Sequence, residues 1–386
     1  MGCPVMKRME RIMIEVRPKD RIKVLVVISI FFFSTVSSGS NEDETLLREA
    51  TRVFSPLPQV MLSEKNRITP EKVELGKILF YETRISADGT VSCSKCHPMG
   101  LYGADGLRKA IGENCEINPR NSPTIFNVAG QISEHWTGKF SDVEDQAKQS
   151  IRTPPPSEVS PYPVRQASRL PGFLRAARGP NRPGMAPSES AEKKLRRIEG
   201  YKALFLKAFP GDNDPVTLDN FGKAVGAFER TLTTPSAFDV FLKGRKEALT
   251  EEEKRGLKTF IEIGCATCHF GTYVGGQTYR KFGLFGPYWK FTKSEEIDEG
   301  RYEITKNALD RYVFKVPVLR NVAKTPPYFH DGSVDQLEAA ELIMGRIQLG
   351  KDLTKSQLED IVSFLKSLTG RIPEDAFRVP LLPSAE

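Results

Sequence analysis

Apolar stripes at helical spacing recur along the chain, separated by stretches with no period at all. Thr69 and Pro70 suit the cap and first position of a helix, and Val73, Ile78 and Leu79 follow on one face. Ser141 to Ile151 also has helical spacing. Residues 190–209 predict one helix, with Leu195, Ile198, Tyr201, Leu204 and Phe205 on one side. Leu218 to Leu232 predicts another, striped by Phe221, Val225, Phe228 and Leu232. Thr250 to Glu253 is a capping box that opens a helix with Leu257, Phe260 and Ile261, and Gly264 closes it. Two further boxes run from Ser333 to Gln336 and from Thr354 to Gln357, the second opening a stripe of Leu358, Ile361, Val362, Leu365 and Leu368. Strand signals are sparse, so the expected fold class is mainly α, with long irregular loops.

Three stretches lack this pattern. Residues 153–187 hold nine prolines with Ser and Arg and read as a long loop or linker. Residues 100–123, punctuated by Gly, Asn and Pro, read as an ordered loop laid over something rigid. At the N-terminus, a basic segment from Lys7 to Lys23 precedes an apolar run from Val24 to Val36 and then Ser37-Ser38-Gly39-Ser40. That order is the one of a secretory signal over residues 1–39, with an uncleaved membrane anchor as the alternative. Export, to a periplasm, is the expectation.

Composition adds two exclusions. With 39% apolar and 27% charged residues the chain has the makings of a packed core, not of a disordered polymer. The net charge of +7 lies partly in the N-terminal segment, and no basic run interleaved with aromatics points to nucleic acid.

The cysteines carry the chemistry. Of six, Cys3 precedes the apolar run, Cys115 stands alone, and the other four form two C-x-x-C-H motifs, Cys93–Cys96–His97 and Cys265–Cys268–His269. Haem c needs two thiols at fixed spacing for its vinyl groups, and the next residue, His, then reaches the iron. A zinc half-site or a redox dithiol would use the same cysteines, but two motifs behind similar helices in an exported chain favour two covalent haems. The helices carry a faint repeat: Glu74-Leu75-Gly76-Lys77-Ile78-Leu79-Phe80 before the first motif, Lys254-Arg255-Gly256-Leu257-Lys258-Thr259-Phe260 before the second. Two cytochrome c-like domains are expected, over 44–212 (with the Pro-rich insertion 153–187) and 213–380. The four histidines are His97, His135, His269 and His330, so beyond the two motif histidines any sixth ligand comes from His135, His330, a Met or another group. A filled sixth position suits electron transfer, and an open one admits a small oxidant.

From Cys93 onward the chain resembles the bacterial di-haem cytochrome c peroxidases and the related MauG-type enzymes. The strings that carry the resemblance are Asn121-Ser122-Pro123-Thr124, Trp136 followed by Gly138, and Asp145-Gln146-Ala147 in the first half. In the second half they are Phe314-Lys315-Val316-Pro317, Leu319-Arg320-Asn321-Val322, Thr325-Pro326-Pro327-Tyr328-Phe329-His330-Asp331-Gly332 and Met344-Gly345-Arg346-Ile347-Gln348-Leu349-Gly350. The resemblance implies a peroxidatic N-terminal haem with His97 proximal. It implies an electron-transfer C-terminal haem with His269 and Met344 axial; on spacing alone Met344 would be a core residue. Trp136 would lie between the haems. Asn121, Thr325 and Pro327 match a calcium site built largely of carbonyls, and hard oxygen ligands suit Ca²⁺. Gln146 matches a polar residue beside the peroxidatic haem. The family's catalytic Glu has only Glu158 as a nearby counterpart, two residues out of register, with a solvated loop carboxylate as the equal alternative.

One departure stands out. The family's peroxidases carry a His in the loop before Asn-Ser-Pro-Thr that caps the peroxidatic iron. Here Gly112 to Arg120 contains none, and ungapped counting puts Glu113 in its place. The peroxidatic haem is then either open or ligated by Glu113 or Cys115. The implied activity is reduction of hydrogen peroxide with electrons from a small c-type cytochrome or cupredoxin, and family members are often homodimers. The rival readings are oxidation of a partner protein by a MauG-like enzyme and a non-catalytic electron carrier.

Overall fold

The computed structural model describes residues 41–86, 88–112, 117–151 and 190–384. The N-terminal segment 1–39, all of the Pro-rich stretch 153–187 (Glu158 included), Glu113 and Cys115 lie outside the described residues. Residues 41–49 are helical and form a small unit of their own; the second unit, from Ala50 on, holds both motifs. Its principal helices are α1 (Pro70–Phe80), α2 (Val143–Ser150), α3 (Ala191–Arg196), α4 (Glu199–Ala208), α5 (Leu218–Glu229), α6 (Glu251–Glu262), α7 (Leu337–Leu349) and α8 (Lys355–Ser367). A two-stranded antiparallel sheet pairs β1 (Tyr279–Lys281) with β2 (Val313–Lys315), Arg280 opposite Phe314. The protein is therefore mainly helical, as the stripes predict. Among the described residues no helix is long and apolar enough to cross a membrane.

The faint sequence repeat is a repeat of packing. α1 crosses α5, and α6 crosses α8. At both crossings a glycine on the first helix meets bare backbone on the second. A Cβ on Gly76 would sit 1.9 Å from the Ala224 carbonyl oxygen, and one on Gly256 1.9 Å from that of Asp360. Four residues on, Phe80 meets Phe228 edge to face at 5.5 Å, and Phe260 meets Phe364 at 5.2 Å. Each C-x-x-C-H motif thus follows a helix pinned at the same two points. Around the first pair, Leu75, Leu79, Phe205, Phe221 and Val225 are buried; around the second, Leu257, Ile361 and Leu365 are. α5, which lies past the expected boundary at residue 212, shares its core with elements before it.

The caps largely follow the sequence. Thr69 accepts from the Lys72 N–H with Pro70 at the start of α1, and the Thr250 and Thr354 capping boxes are both formed. Two expectations are corrected. The helix predicted over 190–209 is broken into α3 and α4: Arg196 is tied to Asp214 and to the Val216 carbonyl, and Ile198 turns extended and buried. The Ser333 box does not form. Ser333 to Asp335 precede the helix, because Tyr328 N–H donates to the Val334 carbonyl at 2.6 Å in an isolated bridge, and α7 starts only at Leu337.

Candidate haem sites

In the first motif, Cys93–Cys96 make a single helical turn, and the His97 N–H closes it on the Cys93 carbonyl at 3.0 Å. His97 Nδ1 lies 2.9 Å from the Gly103 carbonyl oxygen, so the proton sits on Nδ1 and the Nε2 lone pair is left for a metal. Burial lowers the His97 pKa and keeps the ring neutral. Gly103 adopts φ +68°, and a Cβ there would come within 2.7 Å of the Ile125 side chain, so only glycine brings this carbonyl to the imidazole. Ser122 donates to the Cys96 carbonyl at 3.0 Å, and its hydroxyl lies 3.5 Å from the same His97 Nδ1. Burial, then the Glu229 carboxylate, pushes the Cys93 thiol up to about 12.

In the second motif, Gly264 in the left-handed region ends α6, and Cys265–Thr267 form a 3-10 turn. The His269 N–H donates to the Cys265 carbonyl at 3.0 Å. Burial pulls the His269 pKa down to about 4. The carbonyls of Val274 and Pro317 lie on its Nδ1 side, but that nitrogen is buried without a partner in hydrogen-bond geometry. A Cβ on Gly275 would sit 2.2 Å from the Pro317 oxygen, so this glycine too allows the carbonyl its approach.

A cavity opens over this motif. Cys265, Cys268 and His269 form one wall, Met344 on α7 another, and Phe260, Leu319, Leu337 and Leu349 supply apolar surface. All four motif thiols are unpaired despite their proximity. A neutral imidazole, two unpaired thiols and a thioether around one apolar cavity are the donor set of a covalent His/Met haem, and the residues fit that group.

The cavity also joins the inferred sites. Trp136, Asn121, Thr325 and Pro327 line it. The Trp136 indole donates to the Asn121 carbonyl at 3.0 Å, and the Asn121 N–H donates to the His330 carbonyl at 2.7 Å, linking first-half and second-half loops. Gln146 lies half-buried on α2 and is not part of this cavity wall. The two halves are also keyed together deeper in. Asn127 and Asn321, both left-handed and fully buried, each donate to the Thr234 hydroxyl, at 2.7 and 2.9 Å.

Several buried ionisable groups were invisible in the sequence. Glu134 faces Lys315 at 3.7 Å in the cavity wall; burial raises its pKa to about 7 against the pull of Lys315, whose own pKa burial lowers. Glu341, one turn before Met344, is raised to about 7 by burial alone. Glu229 is held well above the carboxylate range by burial and by Glu134 and Glu144. His135 lines the cavity with its surface open, and desolvation by the surrounding protein drops its pKa to about 3. Single charged residues between apolar ones give no periodic signal, so nothing in the pattern separates these from surface charges.

Comparison with known proteins fits this geometry. The profile of the family described as di-haem cytochrome c peroxidase matches residues 70–247. The cytochrome c551 peroxidase of Pseudomonas aeruginosa is 38% identical over 345 residues, covering 89% of this chain and 91% of that protein. That of Nitrosomonas europaea is 38% identical over 320 residues, covering 82% and 85%. A solved MauG-like protein associated with microbial copper homeostasis superposes with a TM-score of 0.63 at 26% identity, over 84% of this chain and 97% of its own. The chain belongs to the di-haem cytochrome c peroxidase family.

Proposed function

We propose that the protein is a di-haem c peroxidase that reduces hydrogen peroxide to two waters, taking two electrons from a small donor protein, a c-type cytochrome or cupredoxin. The observation that carries this is the pair of motifs with neutral histidines, His97 half-buried and His269 buried, of which the second shares its cavity with Met344. The haems, when bound, supply the redox chemistry and the iron to which peroxide has access.

The chain's residues set the terms. Cys93, Cys96 and His97 hold the peroxidatic haem, and Gly103 and Ser122 fix the imidazole and its turn. Cys265, Cys268, His269 and Met344 hold the electron-entry haem, where a neutral, soft thioether favours ferrous iron and a high potential. Trp136 couples the two. Gln146 orients peroxide and Glu158 moves a proton from its inner to its outer oxygen, a role that typically contributes about two to four orders of magnitude in rate. With no His in the loop 112–120, the peroxidatic site is open or is ligated by Glu113 or Cys115. Asn121, Thr325 and Pro327 hold Ca²⁺, consistent with their common cavity wall. The two haem domains meet at that wall. Residues 1–39 direct export to the periplasm, as a cleaved signal or an anchor, and the working form is a homodimer.

The missing loop His also favours a second reading, in which the open haem oxidises side chains of a partner protein; Met344 speaks against it. Mixing reduced holoprotein and reduced cytochrome c with peroxide tests the first reading. Peroxide-dependent oxidation of the cytochrome, lost in His97→Ala, is expected; its absence in a protein with both haems attached rejects it. A mass shift on a co-expressed partner would establish the second.

A further inference from the structure

The chain has two tryptophans, and one unbroken line of aromatic contacts joins them. Trp136, in the cavity wall beside the second motif, meets His330 edge to face at 6.4 Å. His330 meets Tyr288 at 5.1 Å, and Tyr288 meets Trp289 at 5.2 Å. Trp289 in turn lies 5.0 Å from Tyr312. Every step falls within the range of about 4.5–7 Å in which aromatic rings touch. Tyr288 is fully buried, whereas Trp136, Trp289 and Tyr312 are half-buried; Trp136 lines the cavity, and Trp289 and Tyr312 have exposed Lys290 and Arg311 as chain neighbours. The rings that flank the line are Phe282, 5.0 Å from Tyr288, and Phe314, 4.3 Å from His330. Phenylalanine is far harder to oxidise than indole or phenol, so these flanks insulate while the line conducts.

We propose that Trp136, His330, Tyr288 and Trp289 form a relay that carries oxidising equivalents from the peroxide-reducing site to the surface pair Trp289–Tyr312 when donor electrons run out. It rests on the peroxidase reading, which supplies the oxidant. Reducing one peroxide to two waters takes two electrons and two protons. In the absence of the donor protein, Trp289 gives one electron and its N–H proton, and Tyr312 gives one electron and its O–H proton. The products are two waters, an indolyl radical and a phenoxyl radical, and the balance closes without another reagent. His330 acts as a bridging ring and is not itself oxidised. The interior phenol suits a relay: the Tyr288 hydroxyl donates to the Asp298 carbonyl at 3.0 Å and accepts from the Asp298 N–H at 2.7 Å, which holds it in place. At the surface the Lys281 ammonium stands 6.0 Å over the Tyr312 ring and opposes a radical cation there, so the proton leaves with the electron. The relay draws damage away from the haem sites to two side chains that solvent reductants can repair.

The test uses the full holoprotein, excess peroxide, no donor, and the spin trap 2-methyl-2-nitrosopropane, with trapped residues mapped by peptide mass spectrometry. Adducts are expected on Trp289 and Tyr312. Tyr302, half-buried but outside the line, serves as control and should carry none. Tyr288→Phe keeps the buried ring and removes the oxidisable phenol. It should abolish both adducts while haem spectra and donor-supported turnover stay as in the parent protein. Adducts distributed by exposure, or equal in Tyr288→Phe, overturn the relay. If peroxide leaves both haem spectra unchanged, the peroxidase reading and the relay fall together. If the spectra change and neither residue is trapped, the relay alone falls.

Discussion

Replacing Gly256 by Ala places one methyl group between α6 and α8. The new Cβ would lie 1.9 Å from the Asp360 oxygen and 2.8 Å from Phe364 Cβ, against an ordinary contact of at least 3.4 Å. The nearest neighbour is backbone, so no side chain can swing aside, and the helices must part by more than 1 Å. Overpacking of this kind costs about 1–3 kcal/mol, and a rigid carbonyl puts it at the upper end. Ala regains up to about 1 kcal/mol of helix propensity over Gly. The net loss is about 1–2 kcal/mol, a fall in Tm of about 2–8 °C by the scaling for large domains. α8 packs against α7, which carries Met344, so the shift should reach this proposed haem ligand. Thermal unfolding followed by circular dichroism reads the first effect, and the methionine-to-iron charge-transfer band the second. Gly100→Ala is the control, because nothing lies within 4 Å of a Cβ there. An unchanged Tm and an intact band in Gly256→Ala would refute the claim that this crossing depends on bare backbone.

Three other outcomes are expected. Met344→His should erase the methionine band and lower the midpoint potential of the C-terminal haem in a potentiometric titration; an unaltered potential would remove Met344 from the ligand set. Arg230 makes a bidentate pair with Glu144 at 2.7 and 2.8 Å and donates to the Ala129 carbonyl, so Arg230→Ala should cost about 3 kcal/mol in urea unfolding; a loss below about 1 kcal/mol would class the pair with ordinary surface ion pairs. Glu341 has a folded pKa of about 7 against an ordinary 4.5, so the folded state holds its proton more tightly and stability falls as pH rises from about 4.5 through 7. That fall is on the order of 3 kcal/mol, and Glu341→Gln should flatten it; identical pH profiles for the two proteins would show that Glu341 does not ionise in place.

Local chemistry was legible where it acts over a few residues. Thr69-Pro70, the Thr250 and Thr354 boxes and the two C-x-x-C-H motifs all describe contacts within one turn, and the structure forms them. The same boxes show the limit. Ser333-Val334-Asp335-Gln336 satisfies the local rule, but the Tyr328–Val334 bridge uses that stretch first. The break between α3 and α4, at Arg197 and Ile198, is announced only by Gly200 two residues on, because Arg196 is held by Asp214 and Val216 further along. β1 and β2 are three residues each, too short for an alternation to register. The repeat before the motifs was visible as scattered identities, but only the structure explains why Gly and Phe are the letters kept: one admits a backbone, the other fills the layer behind it.

The first helix pair also sets an order of events. Gly76 and Ala224 meet across 148 residues of chain, so Cys93 and Cys96 are synthesised long before α5 exists to cover them. At about 5–20 residues per second of synthesis, that leaves a window on the order of ten seconds in which neither thiol is covered by α5. Lengthening the window is cheap, since each doubling of a loop adds only about 0.6 kcal/mol of closure entropy. Residues 151–190, between α2 and α3, lie inside that loop in the sequence and add to its length at little entropic cost.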